Sequence, residues 1–279
     1  MSLSPIILDG RIVRAEKSAQ LVQALQAFSY VPQLAILQVG DRADSVAYIR
    51  AKKVFAGQIG AKATHIHLPE DVSQEEVTAH IRECNADQEI QGIIVQLPLP
   101  AHLDRHQIIG EIDPRKDVDG LTPTNQSLLA HNSPDAIVPA TARGVKELLE
   151  YHRIELKGKK VAVVGRSQLV GAPIAHVCAH AGADVIVCHS KTVDLAVETK
   201  KADVLIVAVG KPGLIDARHV TVGQIIVDVG INRMPDGSLQ GDVDFVAVAG
   251  MVSAITPVPG GVGQMTVTAL FENLIDACK

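Results

Sequence analysis

Tryptophan is absent from this chain of 279 residues, and phenylalanine and tyrosine number only four and three. Surfaces that grip single-stranded nucleic acid stack bases on aromatic rings, so that class is excluded for want of rings. Basic charge is short as well: 26 Lys and Arg stand against 31 Asp and Glu, a formal net charge of −5. That balance provides no field for a phosphate backbone, and no nucleic-acid partner is expected; local basic groups suffice for a single nucleotide. Cysteine is scarce and scattered, at Cys84, Cys178, Cys188 and Cys278, with no C-x-x-C pair. In a chain this long the pattern reads as reduced thiols of a cytoplasmic protein. Long apolar runs are missing too. None nears the roughly 20 residues that cross a bilayer, and the opening MSLSPIILDG lacks the charged start and apolar stretch of a signal peptide. No membrane partner is expected.

What is present is aliphatic. Apolar residues make up 47% of the chain, most of them Val, Ile, Leu and Ala. The length favours two domains or one large α/β unit. QLAILQV (33–39) reads as a buried strand, 44–57 as a helix, ATHIHLP (63–69) as a strand, and 73–86 as a helix with Ser73 and Glu76 forming a capping box. GIIVQLPLP (92–100) is a strand running into a proline-stiffened loop. Residues 113–139 hold four prolines and read as a connector with one short helix near 125–131. A second series follows: helix 141–151, strand 159–165, helix 171–182, strand 183–189, helix 194–202, and strands at 203–210, 224–230 and 245–250. Strands alternating with helices predict two α/β domains. The first is residues 1–118, joined by a C-terminal helix at 264–279. The second is residues 119–263, a Rossmann-like doubly wound parallel sheet.

A nucleotide site is expected where VAVVG meets the next helix through Gly165-Arg166-Ser167-Gln168-Leu169-Val170-Gly171. Doubly wound sheets bind dinucleotides at such a turn, with the diphosphate over the helix N-terminus. The loop is G-x-S-x-x-x-G-x-P, with Pro173 in the first helical turn, where its missing N–H costs nothing. The next strand ends at Cys188-His189-Ser190-Lys191. A Rossmann fold that binds NAD places an acid near there for the ribose hydroxyls. A hydroxyl and a cation stand in its place, and Arg166 is near in sequence. An acid would repel a 2′-phosphate, whereas Arg166 and Ser190 would hold one, so NADP is expected over NAD. His189 is also read as cofactor-facing. Two further strand ends, Val209-Gly210 and Gly230-Ile231-Asn232, complete the expected crevice.

The stretch DSVAYIRAKK (44–53) carries a second signal. Tyr48 and Lys52 are four apart, the spacing seen in short-chain dehydrogenases, and Ser45 joins them on one helix face. In those enzymes the pair lies downstream of the glycine loop and in the same domain. Here it lies more than a hundred residues upstream, in another domain, which removes that reading. A lysine among neutral hydroxyls and amides, away from water, has a lowered pKa and passes protons near neutrality. Taken alone, a solvated surface lysine is the commoner case. Lys53 points about 100° around the helix and reads as surface charge. His80 and Cys84, four apart, lack a second pair for a metal, and none is expected. His65 and His67 read as a solvated strand face.

Several motifs occur together and in order: VG…S-x-x-Y-x-x-x-K (39–52), GIIVQLPLP (92–100), KDVDG (116–120), GRSxxVGxP (165–173), CHSKT (188–192), VDVGIN (227–232), GDV (241–243) and TPVPGGVGxMT (256–266). On these the sequence resembles the bifunctional methylenetetrahydrofolate dehydrogenase/cyclohydrolase family over essentially its whole length. The resemblance implies a folate cleft between the two domains and a homodimer. It implies oxidation of 5,10-methylenetetrahydrofolate to the methenyl form with NADP, then hydrolysis to 10-formyltetrahydrofolate. By the same resemblance Lys52 is the acid/base of hydrolysis, Gln96 bonds to it, and Ser45 supports it. Tyr48 stacks on the folate and Asp119 binds the pterin ring. Pro259, Gly260 and Gly261 bring bare backbone to the substrate. The sequence departs from the family pattern at Ser127, Ala140, Ala142 and Gln264, positions that bear on closure geometry and relative rates. A dehydrogenase with weak or absent hydrolase activity and a non-catalytic NADP-binding module are the alternatives.

Overall fold

The computed structural model describes residues 4–279. In chain order it begins β1 (Ile6–Ile7), α1 (Gly10–Leu25), β2 (Gln33–Val39), α2 (Ala43–Ile59), β3 (Lys62–Leu68) and α3 (Gln74–Ala86). Next come β4 (Gly92–Val95), α4 (Arg105–Gly110), α5 (Pro123–Ala130), α6 (Ala140–Tyr151), β5 (Lys160–Val164) and α7 (Gly171–His180). Then follow β6 (Asp184–Cys188), α8 (Leu195–Lys200), β7 (Val204–Val207), β8 (Ile225–Asp228), β9 (Asn232–Arg233) and β10 (Leu239–Gln240). The chain closes with α9 (Phe245–Val248), β11 (Ala254–Ile255) and α10 (Val262–Asp276). Two units emerge: residues 16–140 with 267–279, and residues 4–15 with 141–266. Among the described residues no helix is long and apolar enough to cross a membrane.

The first unit is built on a parallel sheet of order β3-β2-β4. β2 is central and buried at every position, Gln33 and Gln38 included, as a strand covered on both faces is. Successive side chains alternate faces. Leu34 and Ile36 enter one core with Phe55 of α2 and Phe271 of α10. Ala35 and Leu37 enter the other with Val77 and Ile81 of α3 and Ile108 of α4. The Phe55 and Phe271 rings lie 5.4 Å apart at 60°. At the start of α3 the Ser73 hydroxyl accepts from Glu76 N–H at 3.2 Å and donates back to the Glu76 carboxylate at 3.4 Å. The cap therefore closes through the side chains, and not through the Ser73 N–H that a capping box uses.

The second unit carries six parallel strands in the order β1-β11-β8-β7-β5-β6. The chain leaves β5 for β6 on one side and returns to β7 on the other. That reversal makes a switch point at the carboxyl ends of β5 and β7, where sheets of this class open a crevice. The strand expected at 245–250 is absent. Residues Phe245–Val248 are instead a short helix, capped by the Asp244 carboxylate accepting from Ala247 N–H at 3.1 Å. Only Val248 of that segment is buried, while Val246 is 89% exposed. The wholly apolar run FVAV thus had one inward residue, too few for a buried sheet strand.

Candidate active site

β2 ends at Val39, and α2 starts four residues later, after Gly40. Asp44 lies in the first turn of α2, where a carboxylate opposes the positive end of the helix. Ser45, Tyr48 and Lys52 fall at i, i+3 and i+7 of this helix and share a face. Ser45 is buried, Lys52 is partly buried, and Tyr48 is 46% exposed. Lys53 is exposed.

Gln96 stands just beyond the carboxyl end of β4, held to the sheet by its backbone N–H donating to Leu37 O at 2.8 Å. Lys52 Nζ donates to Gln96 Oε1 at 2.9 Å, and Gln96 Nε2 donates to Leu97 O at 2.9 Å. The second bond fixes which end of the amide faces the lysine. Burial pushes the Lys52 ammonium below its ordinary pKa, and the charge of Asp119 opposes that fall. Burial likewise pushes the Asp119 carboxyl up; Lys52 pulls it down and Asp117 pushes it further up. Both groups are drawn toward neutrality by loss of water, and their mutual attraction resists it. The arrangement is suited to holding and releasing one proton. Burial also raises the pKa of the Tyr48 phenol, which removes it further from proton transfer near neutrality.

In the second unit, Gly165 follows β5 and Val209 and Gly210 follow β7, on the two sides of the switch point. Gly165 has φ +122°, and a Cβ there would run into Ala208 O. Only glycine lets the two strand ends approach so closely. The Ser167 hydroxyl accepts from Val170 N–H at 3.2 Å and Gly171 N–H at 3.3 Å, which shapes the loop into α7. Pro173 is buried in that first turn. A cavity of about 430 Å³ opens here, and its lining includes Arg166, Ser167, His189, Ser190, Val209 and Lys211. No lining residue is acidic. Two cations and the hydroxyls of Ser167, Ser190 and Thr192 suit a phosphorylated nucleotide. Lys211 directly follows the glycine of a strand end but is not among the residues expected from the sequence to hold the cofactor.

A second group missed in the sequence lies beneath this cavity. Asp242 is fully buried. Its carboxylate accepts from Val209, Gly210 and Lys211 N–H at 2.7, 2.9 and 2.8 Å, and from Asn232 Nδ2 at 2.9 Å. It therefore ties together the loops after β7 and β8. Its neighbour Asp228 has its pKa raised to about 6, first by burial, with the nearby Asp242 adding to the rise. The acid inside the GDV motif was the available signal. Gly230 is buried, Ile231 is 38% exposed, and Asn232 is half-buried. Gly260 and Gly261 are buried and Pro259 is exposed. Gly260 O accepts from Gly10 N–H at 2.9 Å. Pro259, Gly260 and Gly261 thus belong to the unit of the nucleotide cavity, whereas Lys52, Gln96 and Asp119 belong to the other.

Residues 8–119 match the catalytic domain of tetrahydrofolate dehydrogenase/cyclohydrolase. Residues 139–279 match the NAD(P)-binding domain of the same enzymes. The bifunctional protein FolD of Lactococcus lactis subsp. lactis is 42% identical over 276 residues, which cover 98% of this chain and 97% of that one. Among solved structures, the FolD methylenetetrahydrofolate dehydrogenase/cyclohydrolase of Campylobacter jejuni has a TM-score of 0.95 at 40% identity, covering 97% of each chain. The enzyme of Trypanosoma brucei, crystallised with NADP and an inhibitor, has a TM-score of 0.93 at 34% identity, covering 98% of this chain and 97% of that one.

Proposed function

The chain belongs to the tetrahydrofolate dehydrogenase/cyclohydrolase family, and from that premise we propose that Lys52 is the proton carrier of its hydrolytic step. The enzyme oxidises 5,10-methylenetetrahydrofolate to the methenyl form with NADP and hydrolyses the product to 10-formyltetrahydrofolate. The observation that carries the Lys52 assignment is its bond to Gln96, made while burial lowers its pKa and Asp119 opposes the fall. Hydrolysis adds water to the methenyl carbon, breaks the bond from that carbon to one ring nitrogen, and releases one proton. The neutral Lys52 amine takes the proton from the attacking water, and the resulting ammonium gives it to the departing nitrogen. Gln96 accepts from Lys52 in either state and keeps the amine aimed. Asp119 accepts N–H groups of the pterin ring, Tyr48 offers its exposed ring as a stacking face, and Ser45, two turns before Lys52 on the same helix face, supports it. Pro259, Gly260 and Gly261 present backbone to the folate.

When bound, NADP accepts hydride from the methylene carbon. Gly165, Arg166, Ser167, Gly171 and Pro173 would hold its diphosphate. Arg166 and Ser190 would hold the 2′-phosphate with help from Lys211, and His189 would flank it. Val209, Gly210, Gly230, Ile231 and Asn232 would frame the nicotinamide. The absence of any acid from the cavity lining supports NADP over NAD.

The assembly is a homodimer in this reading. The edge strand β6 exposes Ile186 and Val187 to 40% and 37%, an apolar edge that a second copy would cover; light scattering at micromolar concentration should give twice the chain mass. Four free cysteines support a cytoplasmic setting. The deciding experiment offers methylenetetrahydrofolate with NADP+ or NAD+ and follows both steps. NADPH and 10-formyltetrahydrofolate should both appear. NADPH without the formyl product would mark a dehydrogenase alone, and binding without turnover a non-catalytic module.

A further inference from the structure

Asp117 stands two residues before Asp119, has 1% of its surface exposed, and is used by neither step above. Its carboxylate accepts three N–H groups: Leu121 N–H at 3.1 Å on one oxygen, Thr122 N–H at 2.8 Å and Asn125 Nδ2 at 2.9 Å on the other. Its main-chain carbonyl accepts from Gly120 N–H at 3.0 Å. The segment 117–122 is therefore a loop tied at both ends to one residue, with Asp119 in its middle. Asn125 extends the tie, donating to Pro114 O at 2.9 Å and accepting from Ile137 N–H at 3.3 Å. On the preceding side Lys116 Nζ donates to the Cys84, Asn85 and Asp87 carbonyls at 3.1, 2.8 and 2.6 Å, at the end of α3. Gly120 has φ +68°, and a Cβ there would stand 2.6 Å from Ile137 O, so the backbone next to Asp119 is packed shut.

Three donors converging on one buried group call for an acceptor with no N–H of its own. An amide in that place would turn a donor against a donor. A carboxylate buried for shape alone would carry its desolvation cost with nothing gained. Here the cost is met by bonds whose common effect is to fix the position of Asp119.

We propose that Asp117 is a positioning residue for hydrolysis: by holding Leu121, Thr122 and Asn125 it fixes Asp119 in the place from which it meets the substrate and supports the charge of Lys52. This rests on the assignment of Lys52 and Asp119 given above. The Asp117 charge also acts directly, since it opposes ionisation of Asp119 and Lys52 favours it.

The test uses the full-length variants Asp117→Asn and Asn125→Ala, with the pH–rate profile of methenyltetrahydrofolate hydrolysis and melting followed by circular dichroism. The KM for methenyltetrahydrofolate should rise about tenfold or more, as misplacement of a binding group does. In Asn125→Ala, which keeps the Asp117 charge, the Lys52 limb of the profile should move to lower pH, because an Asp119 out of place no longer favours the ammonium. A purely structural role would lower melting temperature or active fraction and leave KM and limb where they were. That result in folded variants overturns the proposal. If Asp117→Asn does not fold, Asn125→Ala, which removes one of the three donors, decides by the same two readouts. Hydrolysis that survives Lys52→Met would instead sink the Lys52 assignment, and that is learned without either variant.

Discussion

Lys52 and Gln96 lie 44 residues apart and meet at 2.9 Å, one from the helix after β2 and the other from the end of β4. Neighbouring parallel strands bring their carboxyl ends to one edge, and both residues project from that edge. Replacing Lys52 with Met keeps the length of the side chain and removes the amine. Hydrolysis of methenyltetrahydrofolate should fall by at least about 100-fold, the usual size of a lost acid/base. NADP+ affinity, measured by calorimetry, should stay within about twofold of the parent, because no cofactor-facing residue of the second unit is changed. Hydrolysis at the parent rate would show that another group carries the proton.

The pH dependence follows in sign from the same pair. Burial lowers Lys52 from its ordinary 10.5, so the neutral amine forms at lower pH than in a free lysine. The hydrolytic profile should show a limb below that value which Lys52→Met lacks. Gln96→Leu removes an acceptor that favours the ammonium and should move the limb further down while lowering kcat. The lowering also makes the contribution of Lys52 to stability rise with pH between its folded value and 10.5, since the unfolded chain binds more protons there. A limb unmoved in Gln96→Leu would mean that Gln96 only packs.

Cofactor choice should reside in Arg166 and Lys211. Substituting either with Ala should raise the KM for NADP+ about tenfold, the worth of one charge-assisted contact of 1.4 kcal/mol, and change the KM for NAD+ little. The ratio of kcat/KM for the two nucleotides reads this directly. Equal loss with both would place these residues on the diphosphate and away from the 2′-phosphate.

Local signals in the sequence carried much of this architecture. The aliphatic run 34–37 and the Gly40-Asp41 turn after Val39 announced β2, and Gly165 through Pro173 announced a strand-to-helix turn. Lys52 was visible as a candidate only through its spacing from Tyr48 and its family motif. What stayed hidden depends on partners far along the chain. Ile6–Ile7 is two exposed residues, and nothing near it reveals pairing with Ala254–Ile255. Phe245–Val248 is as apolar as a buried strand, yet has no neighbour to pair with and coils under the Asp244 cap. Asp242 looks like a turn residue until Val209, Gly210 and Lys211 are seen to point their N–H groups at it.

Gly165→Ala tests the close approach of β5 and β7. The new methyl would meet Ala208 O at a backbone angle of +122°, a region that costs a non-glycine residue about 1–3 kcal/mol before any clash. Melting temperature should fall, and the KM for NADP+ should rise with it. A variant with parent-like stability and KM would show that the loop has room to spare.

Phe271→Ala should destabilise the first unit by about 3–5 kcal/mol, the cost of emptying a large aromatic site. Its ring is fully buried against Phe55, so the loss should appear as a lower midpoint in urea. A loss below about 1 kcal/mol would show that neighbouring side chains collapse into the space.

The last stretch of the chain has a consequence for synthesis. β11 pairs directly with β1, and α10 supplies Phe271, Leu274 and Ile275 to the core of the first unit, to which they belong. A ribosome delivers these segments after the elements they pack against. Until they leave the exit tunnel, β1 has no neighbour in its sheet and the Leu34–Phe55 core lacks one wall. Completion of both units therefore waits for residues 254–276, and a nascent chain stalled before residue 254 should remain sensitive to protease in both halves.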